Sequence, residues 1–257
     1  MKKVLLLACI IIAFSCKKET TKAAENKFSI AGAPNAFPIE LGKVFKKHGS
    51  LNAWKEAQTL SFNKGEEVHI ADLRSRKTVV TAPNYSMGFD GRIVWLDELE
   101  KGMYKGNPAF YYNLYFYFYA MPFVLADNGI RYEKVSDLSF EGVQYPGYKI
   151  SYKGNIGSSP DDNYIVYYHP ETFQMEWLKY TVTFNSKEVN TEYHLIKYDV
   201  WENTGGLVLP SEITWYQMDA RGMPSEAARA PVKFTFPLIS KAKLANSFFE
   251  KPVGVQK

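Results

Sequence analysis

The sequence predicts a mainly β protein, folded as one large antiparallel sheet, sandwich or barrel. About a dozen short stretches of alternating apolar and polar residues follow one another from residue 59 onward, with turn residues between them. No helices alternate with these strands, which argues against folds built on parallel sheets. One uncharged aromatic stretch, from Asn107 to Ala126, interrupts the strands, and the rest of the chain is organised around it.

Composition sets the size of the fold and excludes one class of partner. The chain has 257 residues, 46% of them hydrophobic and 16% aromatic, so it can build a substantial core in one large domain, or two small ones at most. The formal net charge of +4 is small, and the basic residues are not gathered into a patch with interleaved aromatic residues. Nucleic-acid binding is therefore not expected.

The first residues form a targeting signal. Lys2 and Lys3 precede an apolar run from Val4 to Phe14, which is typical of a secretory signal peptide over residues 1–15. Ala13-Phe14-Ser15-Cys16 resembles a bacterial lipobox, in which the cysteine becomes the acylated N-terminus. We therefore expect Cys16 to carry acyl chains that anchor the protein to a membrane. Ordinary secretion with a spare thiol is the alternative.

A tether and two helical turns are expected before the first strand. Residues 16–38 are polar and rich in small residues, which predicts a flexible tether, and residues 39–257 are expected to form the folded domain. Leu41, Val44 and Phe45 recur at helical spacing before Gly49, a residue typical of a helix end. A second helical turn from residue 51 to 55 then leads into the strands.

Asp90-Gly91 is the sharpest local signal in the chain. It lies between two apolar runs and predicts a hairpin with a two-residue turn. In that register Met87 lies opposite Val94, and Phe89 lies opposite Arg92. Both faces of the hairpin would carry apolar side chains, although an antiparallel strand commonly has one face in water. Helices must therefore cover one face, or one face must line a cavity.

The aromatic segment (residues 107–126) is apolar on all sides, so it must be covered by protein or face an apolar ligand. It is too short and too rich in tyrosine to span a bilayer comfortably. A buried core helix and a pair of aromatic strands both fit the pattern. A lid over an acyl-chain cavity is the third interpretation. It assigns four residues to the lid and four to the cavity wall: Tyr112, Phe116, Tyr119 and Phe123, and Met87, Phe89, Val94 and Leu96.

The sequence carries no catalytic motif and no signature of a cofactor site. The histidines do not have the spacing of a helical zinc site, so no metal is expected; they are His48, His69, His169 and His194.

Two other classes of function stay open. Asp161 and Asp162 lie in a polar stretch that an ordinary turn explains, but an envelope hydrolase could use them with a histidine. A surface scaffold or glycan-binding protein is the second class, since tyrosine and tryptophan side chains also line sugar sites.

Six stretches of the chain together carry a resemblance. They are the lipoprotein signal and residues 48–54, 87–95, 120–123, 158–164 and 176–178. Together they resemble a family of Bacteroidetes lipoproteins of unknown function. The resemblance covers Phe37 to Pro252, and that family is similar in layout to the LolA/LolB/LppX-like lipoprotein carriers. It implies a half-open antiparallel β-barrel, LolA-like, whose helical lid covers an acyl-chain cavity and which has an N-terminal helix.

The resemblance also implies a function. We expect a membrane-anchored lipoprotein of the outer membrane or cell surface that binds a lipid or acyl chain without catalysis. No cofactor is expected, and the protein is expected to be a monomer. Lys17-Lys18-Glu19 is similar to the charged export signals of surface lipoproteins, and an acylated Cys16 favours a receptor-like or surface role over that of a free periplasmic carrier.

Overall fold

The computed structural model describes residues 27–28, 37–127, 129–152, 162–184 and 192–253. The predicted signal peptide, Cys16 and Asp161 lie outside these residues, as does most of the predicted tether. Among the described residues, no helix is both long enough and apolar enough to cross a membrane.

The described chain begins with a short strand pair and two helices. β1 (Lys27–Phe28) pairs with β2 (Phe37–Pro38), so the segment predicted as a tether contains some strand. α1 (Ile39–Lys47) and α2 (Leu51–Glu56) follow, and both were predicted. Leu41, Val44 and Phe45 form the buried side of α1. Burial of such an apolar side is the main source of stability for a helix this short.

Gly49 makes the sharp turn between α1 and α2. Its φ is +105°, a left-handed value that favours glycine. A Cβ atom at this position would lie 2.1 Å from the Gly206 carbonyl oxygen, so no side chain fits. The Ser50 hydroxyl then accepts a hydrogen bond from the Ala53 N–H at 3.4 Å, which caps the start of α2. The chain therefore ends α1 and begins α2 within a few residues, and the buried sides of both helices belong to the largest core.

Most of the remaining chain consists of strands, as the alternating pattern predicts. They are β3 (Thr59–Lys64), β4 (Glu67–Asp72), β5 (Thr78–Thr81), β6 (Tyr85–Phe89), β7 (Val94–Glu98), β8 (Ile130–Phe140), β9 (Val143–Tyr152), β10 (Tyr164–Tyr168), β11 (Met175–Tyr180), β12 (His194–Thr204), β13 (Leu207–Met218), β14 (Pro224–Ala227) and β15 (Val232–Ser240).

These strands form one antiparallel sheet built from two meanders. β3 to β7 are neighbours in chain order, as are β8 to β13, and β15 joins the meanders by pairing with β3 on one side and β13 on the other. β14 pairs with β13 outside this path. The edge strands β7 and β8 do not pair within the described residues, so the sheet is open rather than a closed barrel. The predicted fold, mainly β with one large open antiparallel sheet, is confirmed.

The β6–β7 hairpin forms where Asp90-Gly91 predicts one, but the predicted register is wrong by two residues. Phe89 pairs with Val94, and Met87 pairs with Leu96, so the turn has four residues instead of two. Asp90 Oδ1 accepts hydrogen bonds from the N–H groups of Arg92 (2.7 Å) and Ile93 (2.9 Å), which stabilises the longer turn. A shift of two residues leaves every side chain on its predicted face.

Helical segments cover both faces of this hairpin. On one face Tyr112 packs against Met87. On the other, a 3-10 helix (Asn246–Phe249) places Phe249 against Val79 and Trp95. Trp95 Nε1 donates a hydrogen bond to the Phe249 carbonyl oxygen at 2.8 Å. These two helical segments explain why both faces of the hairpin carry apolar residues.

The aromatic segment is helical. It contains α3 (Pro108–Tyr111), α4 (Leu114–Tyr119) and a 3-10 helix (Phe123–Ala126). It connects β7, at one edge of the sheet, to β8, at the other edge, so it has to cross the sheet. From Phe116 onward its buried side chains belong to the largest core, to which α1, α2 and the sheet also contribute. Protein therefore surrounds the second half of the segment, which explains its lack of a polar side.

A second core lies on the opposite face of the β8–β13 meander. Adjacent residues of β11 belong to different cores, Trp177 to this one and Leu178 to the largest one, as strand alternation requires. The loop before β14 folds over it, where Lys179 Nζ donates to the Gly222 carbonyl oxygen at 2.6 Å. The buried members of this core are Leu138, Tyr145, Ile165, Tyr167, Trp177 and Leu195.

Candidate ligand-binding site

Five of the eight residues predicted to bind a ligand come together. The four wall residues lie on one face of the β6–β7 hairpin, and Tyr112 from the end of α3 packs on them. The ring centroids of Phe89 and Tyr112 are 5.4 Å apart. Met87 and Tyr112 are buried, whereas the other three wall residues, Phe89, Val94 and Leu96, are half-buried.

The other three predicted lid residues lie deeper. Tyr119 stacks on Phe62 of β3 with 4.1 Å between ring centroids, and Phe123 stacks on Trp54 of α2 at 5.0 Å. Phe116 is also buried in the largest core. The four predicted lid residues separate because the segment is not one continuous helix: α3 ends at Tyr111, and α4 begins after Asn113. Whether these eight residues contact a ligand remains a prediction.

A polar cluster lies beside the hairpin wall and was not predicted. The Glu67 carboxylate of β4 is its centre. Tyr85 Oη donates to Glu67 Oε1 at 2.6 Å, and Tyr111 Oη donates to Oε2 at 2.8 Å. Lys64 Nζ lies 2.9 Å from Oε2, and His69 Nε2 lies 3.1 Å from the same atom. The aromatic segment is therefore tied to the sheet at its first helix.

The electrostatics of the cluster follow from this geometry. Burial disfavours the charge of Glu67, but the hydrogen bonds from His69, Tyr85, Lys64 and Tyr111 outweigh it and lower the carboxyl pKa to about 2. Burial also lowers the pKa of His69, against the opposing effect of Glu67. At neutral pH Glu67 is therefore ionised and His69 neutral, so His69 Nε2 carries the proton that it donates. One carboxylate accepts from all four donors, so the cluster holds α3 to the sheet.

The remaining histidines do not join His69. The buried His48 donates from Nδ1 to the Val208 carbonyl oxygen at 2.9 Å and accepts at Nε2 from the Met175 N–H at 3.1 Å. Burial lowers the pKa of His48 to about 4, so this ring is neutral and holds α1 against β11 and β13. His169 Nδ1 accepts from two backbone N–H groups of its own turn, and the His194 ring contacts Tyr180.

The structure describes only one of the two carboxylates that a hydrolase could use. Asp161 lies outside the described residues. Asp162 Oδ1 accepts hydrogen bonds from the Thr183 N–H (2.7 Å) and hydroxyl (2.8 Å), which join the start of β10 to the end of β11. Among the residues that the structure describes, no three His, Cys, Asp or Glu side chains lie close enough together to hold a metal ion.

An open apolar groove lies along α1 and α2. Its volume is about 440 Å³, and its lining is mainly apolar. None of the eight predicted residues lines it. α1 contributes Ile39, Gly42, Lys43, Phe45 and Lys46, and the start of α2 contributes Ser50, Leu51 and Asn52.

Lysines supply the charge of this groove. Lys43 and Lys46 are both exposed and belong to its lining, and Lys43 Nζ also lies 4.6 Å from the centroid of the Phe173 ring. Lys46 makes no ion pair with another described residue. The groove therefore combines an apolar floor with positive charge at its rim. The sequence alone does not reveal it, because Gly42, Lys43 and Asn52 are typical of a solvent-exposed helix surface.

Comparison with solved structures finds similar chains at low sequence identity. A LolA superfamily protein from Nitrosomonas europaea has a TM-score of 0.41 and 8% identity, over 81% of this chain and 96% of its own. A DUF1329 family protein from Desulfovibrio piger has a TM-score of 0.42 and 8% identity, over 80% and 95%. A domain described as an outer membrane lipoprotein-sorting protein, from Vibrio parahaemolyticus, has a TM-score of 0.33 and 7% identity, over 77% and 95%.

Sequence comparison identifies the family of the chain. No curated protein matches the chain significantly. A model for a family of unknown function, DUF6503, matches residues 2–221, which is most of the 257 residues. The chain therefore belongs to the DUF6503 family of unknown function.

Proposed function

We propose that this protein is a membrane-anchored, non-catalytic binding protein for a hydrophobic ligand with an acyl chain and an anionic group. The observation that carries the proposal is the groove along α1 and α2, with its apolar lining and two lysines. Small-molecule sites are typically concave, mostly apolar and about 300–1,000 Å³ in volume, with a few polar groups that fix orientation. The groove meets each of these conditions.

The energetics favour an acyl chain over a polar ligand. Phe45 and Leu51 are buried beneath the groove, so the ligand would lie on an apolar floor. Each CH₂ group that leaves water on such a floor contributes about 0.8 kcal/mol. The ammonium groups of Lys43 and Lys46 can stay in water while they attract a carboxylate or phosphate at the open side. A neutral hydrocarbon would gain nothing from these two charges.

The predicted anchor is consistent with this use of the groove. α1 is the first helix after residues 16–38, so the groove belongs to the part of the domain that directly follows the predicted tether. Acylation at Cys16 would hold the domain at a membrane, where amphiphiles are concentrated. We expect a Cys16→Ala variant to move from the membrane fraction to the soluble fraction, and an unchanged distribution would contradict the anchor.

Native mass spectrometry of the purified protein tests the ligand. We expect adducts with the mass of an anionic amphiphile, and fewer of them in a Lys43→Glu/Lys46→Glu variant. Lys47→Glu/Lys55→Glu is the matched control, because it makes the same change in net charge at exposed positions of α1 and α2 that do not line the groove. Equal adduct levels in the two variants, or no adducts in the wild type, would contradict the proposal.

A further inference from the structure

Two large apolar side chains of β15 lie on the surface of the protein. Phe236 is 80% exposed, and Leu238 is 61% exposed. They are two residues apart on one strand, so their Cα atoms lie within about 7 Å of each other. Single exposed apolar residues are common in soluble proteins, whereas a contiguous exposed apolar patch usually marks an interaction surface.

A β-bulge carries the Phe236 ring. The pairing of β15 with β3 shifts just before Leu238, so Phe236 and Pro237 both lie opposite a single residue of β3. The φ of Phe236 is +52°, a left-handed value that a bulky residue rarely adopts. The backbone is therefore strained at the residue whose ring is most exposed on this strand.

Packing does not account for this strained conformation. Phe173 also has a positive φ, of +58°, but its ring stacks on Tyr168 and contacts Lys43. The Phe236 ring lies mostly in solvent instead. Strained residues persist where the surrounding structure determines them, and they cluster at functional sites. The exposed ring of Phe236 therefore requires a functional explanation.

The patch continues across the outer face of the sheet. Directly paired residues of neighbouring strands have their side chains on the same face. The register gives a row of four such residues across β15, β3, β4 and β5, namely Leu238, Ser61, Ile70 and Val79. Phe249 covers the Val79 end of this row, whereas Ile70 is half-buried and Leu238 is exposed. The uncovered end of the row therefore lies beside Phe236.

The segment that contains the patch is basic. Residues 227–249 include four basic residues and no acidic residue, so this segment alone has a formal charge as large as that of the whole chain, +4. Two of the basic residues precede the bulge and two follow it; they are Arg229, Lys233, Lys241 and Lys243. An anionic surface is the partner that this charge favours.

The lysines of this segment remain available to such a surface. Lys233 lies 3.7 Å from Glu212, and Lys241 lies 2.7 Å from Glu56, but both lysines are largely exposed. Ion pairs between exposed side chains are weak, so they hold these lysines loosely. Lys243 is exposed and makes no ion pair with another residue that the structure describes.

We infer that the β15 bulge docks the domain on an anionic lipid bilayer, with Phe236 and Leu238 inserted among the acyl chains. Burial of two apolar side chains is favourable, and each lysine near an anionic membrane surface adds attraction. A stable protein partner would bury roughly 800 Å² on each side, much more than one phenylalanine and one leucine offer. A bilayer needs no complementary shape, so two protruding side chains beside lysines are sufficient.

This surface is separate from the function proposed above. It shares no residue with the groove along α1 and α2, and it does not depend on acylation of Cys16. An acyl chain on a flexible tether would hold the domain near a membrane without fixing its orientation. Contact through the bulge would fix which face of the sheet lies against the lipid.

Vesicle binding tests the inference. The full chain with Cys16→Ala is used, so that no acyl chain contributes, and its N-terminal residues are the same in every variant. We expect vesicles of phosphatidylcholine with phosphatidylglycerol to bind the protein at least about tenfold more tightly than vesicles of phosphatidylcholine alone. In this background, Phe236→Ser/Leu238→Ser should weaken binding to the anionic vesicles at least about tenfold.

Ile93→Ser/Leu99→Ser is the matched control for this double variant. It removes two apolar side chains that are 62% and 73% exposed, from the β6–β7 turn and from the end of β7. The control should bind the anionic vesicles as the parent protein does. Equal binding by the two double variants, or equal binding of the parent to both kinds of vesicle, would overturn the inference.

Phe236→Gly separates membrane contact from folding. Glycine adopts a φ of +52° without steric cost, and the ring that it replaces lies mostly in solvent. The Tm should therefore stay unchanged or rise, while binding to the anionic vesicles weakens at least about fivefold. A Tm lowered by several degrees would show that the ring stabilises the fold, and it would overturn the inference.

Sedimentation of the same proteins tests the other occupant, a second copy of the chain. A monomer both with and without Phe236→Ser/Leu238→Ser supports docking on lipid. A dimer that this double variant dissociates would mean that the patch is an interface between two copies, and the inference would be overturned.

Discussion

The Tyr111 hydroxyl donates a hydrogen bond to the Glu67 carboxylate, with 2.8 Å between Oη and Oε2. This contact fixes the first helix of the aromatic segment to β4, which lies three strands in from the edge strand β7 that precedes the segment. At the far end, Tyr132 of β8 donates to the Leu125 carbonyl oxygen at 2.7 Å. The segment is therefore held to the sheet by a hydrogen bond at each end as well as by packing.

The Tyr111–Glu67 contact should contribute measurably to stability. A hydrogen bond to a charged group contributes about 1.5–3 kcal/mol, so we expect Tyr111→Phe to lower the free energy of unfolding by about 2 kcal/mol. Chemical denaturation measures this change. Tyr117→Phe is the control, since the Tyr117 hydroxyl makes no hydrogen bond with the described residues and its removal should change stability little. Equal effects of the two substitutions would show that the contact is unimportant.

The buried His48 predicts a pH dependence. Its pKa is about 4 in the folded protein and 6.5 in the unfolded chain. Below pH 6.5 the unfolded state binds a proton that the folded state does not, so stability falls as the pH decreases towards 4. The shift corresponds to about 3 kcal/mol. His48→Gln should weaken the dependence of the free energy of unfolding on pH between pH 6.5 and 4. Part of that dependence should remain, because the pKa of His69 is also lowered. Parallel wild-type and variant profiles would contradict this account of His48.

The C-terminal 3-10 helix should be an integral part of the fold. Phe249 is buried against Val79 and Trp95, whereas its neighbour Phe248 is 42% exposed. We expect Phe249→Ala to cost about 3–5 kcal/mol of stability, because it leaves a cavity between the helix and the hairpin. Phe248→Ala should cost much less. Comparable losses in denaturant titrations would mean that Phe249 does not dock as described.

Gly88 tests the observed register of the hairpin. It pairs with Trp95, and a Cβ atom at Gly88 would lie 2.5 Å from the Thr78 carbonyl oxygen and 2.6 Å from Trp95 Cζ2. Gly88→Ala should therefore destabilise the protein by about 1–3 kcal/mol. In the register predicted from the sequence, Gly88 would face Ile93 instead. A stable Gly88→Ala protein would argue for a different pairing, and Ser86→Ala on the same face is the control.

Local patterns in the sequence were sufficient to predict much of the fold. The spacing of Leu41, Val44 and Phe45 predicted α1, and alternation predicted most strands. The hairpin register was wrong because the Asp90 side chain stabilises a longer turn, which is a contact between a side chain and the backbone that spacing does not reveal. The wall residues were nevertheless assigned to one face correctly, since the error was an even number of residues.

The candidate sites were harder to predict from the sequence. Lys64, Glu67 and His69 are ordinary strand residues until the fold brings Tyr85 and Tyr111 to the same carboxylate. Helical spacing would place the four predicted lid residues on one side of a continuous helix, but the break at Asn113 directs Tyr112 to the hairpin and Phe116 to the core. The groove along α1 and α2 depends on the angle between two helices, which no local pattern specifies.

Titration of the purified protein with a fluorescent fatty acid tests the central claim most directly. Asn52 is an exposed groove residue, so Asn52→Trp should fill part of the groove, whereas Lys55→Trp places the same ring on α2 outside it. We predict saturable binding to the wild type and to Lys55→Trp, and an affinity at least about tenfold lower in Asn52→Trp, equivalent to about 1.4 kcal/mol. Absence of binding to the wild type, or equal affinities of the two variants, would contradict a ligand site in this groove.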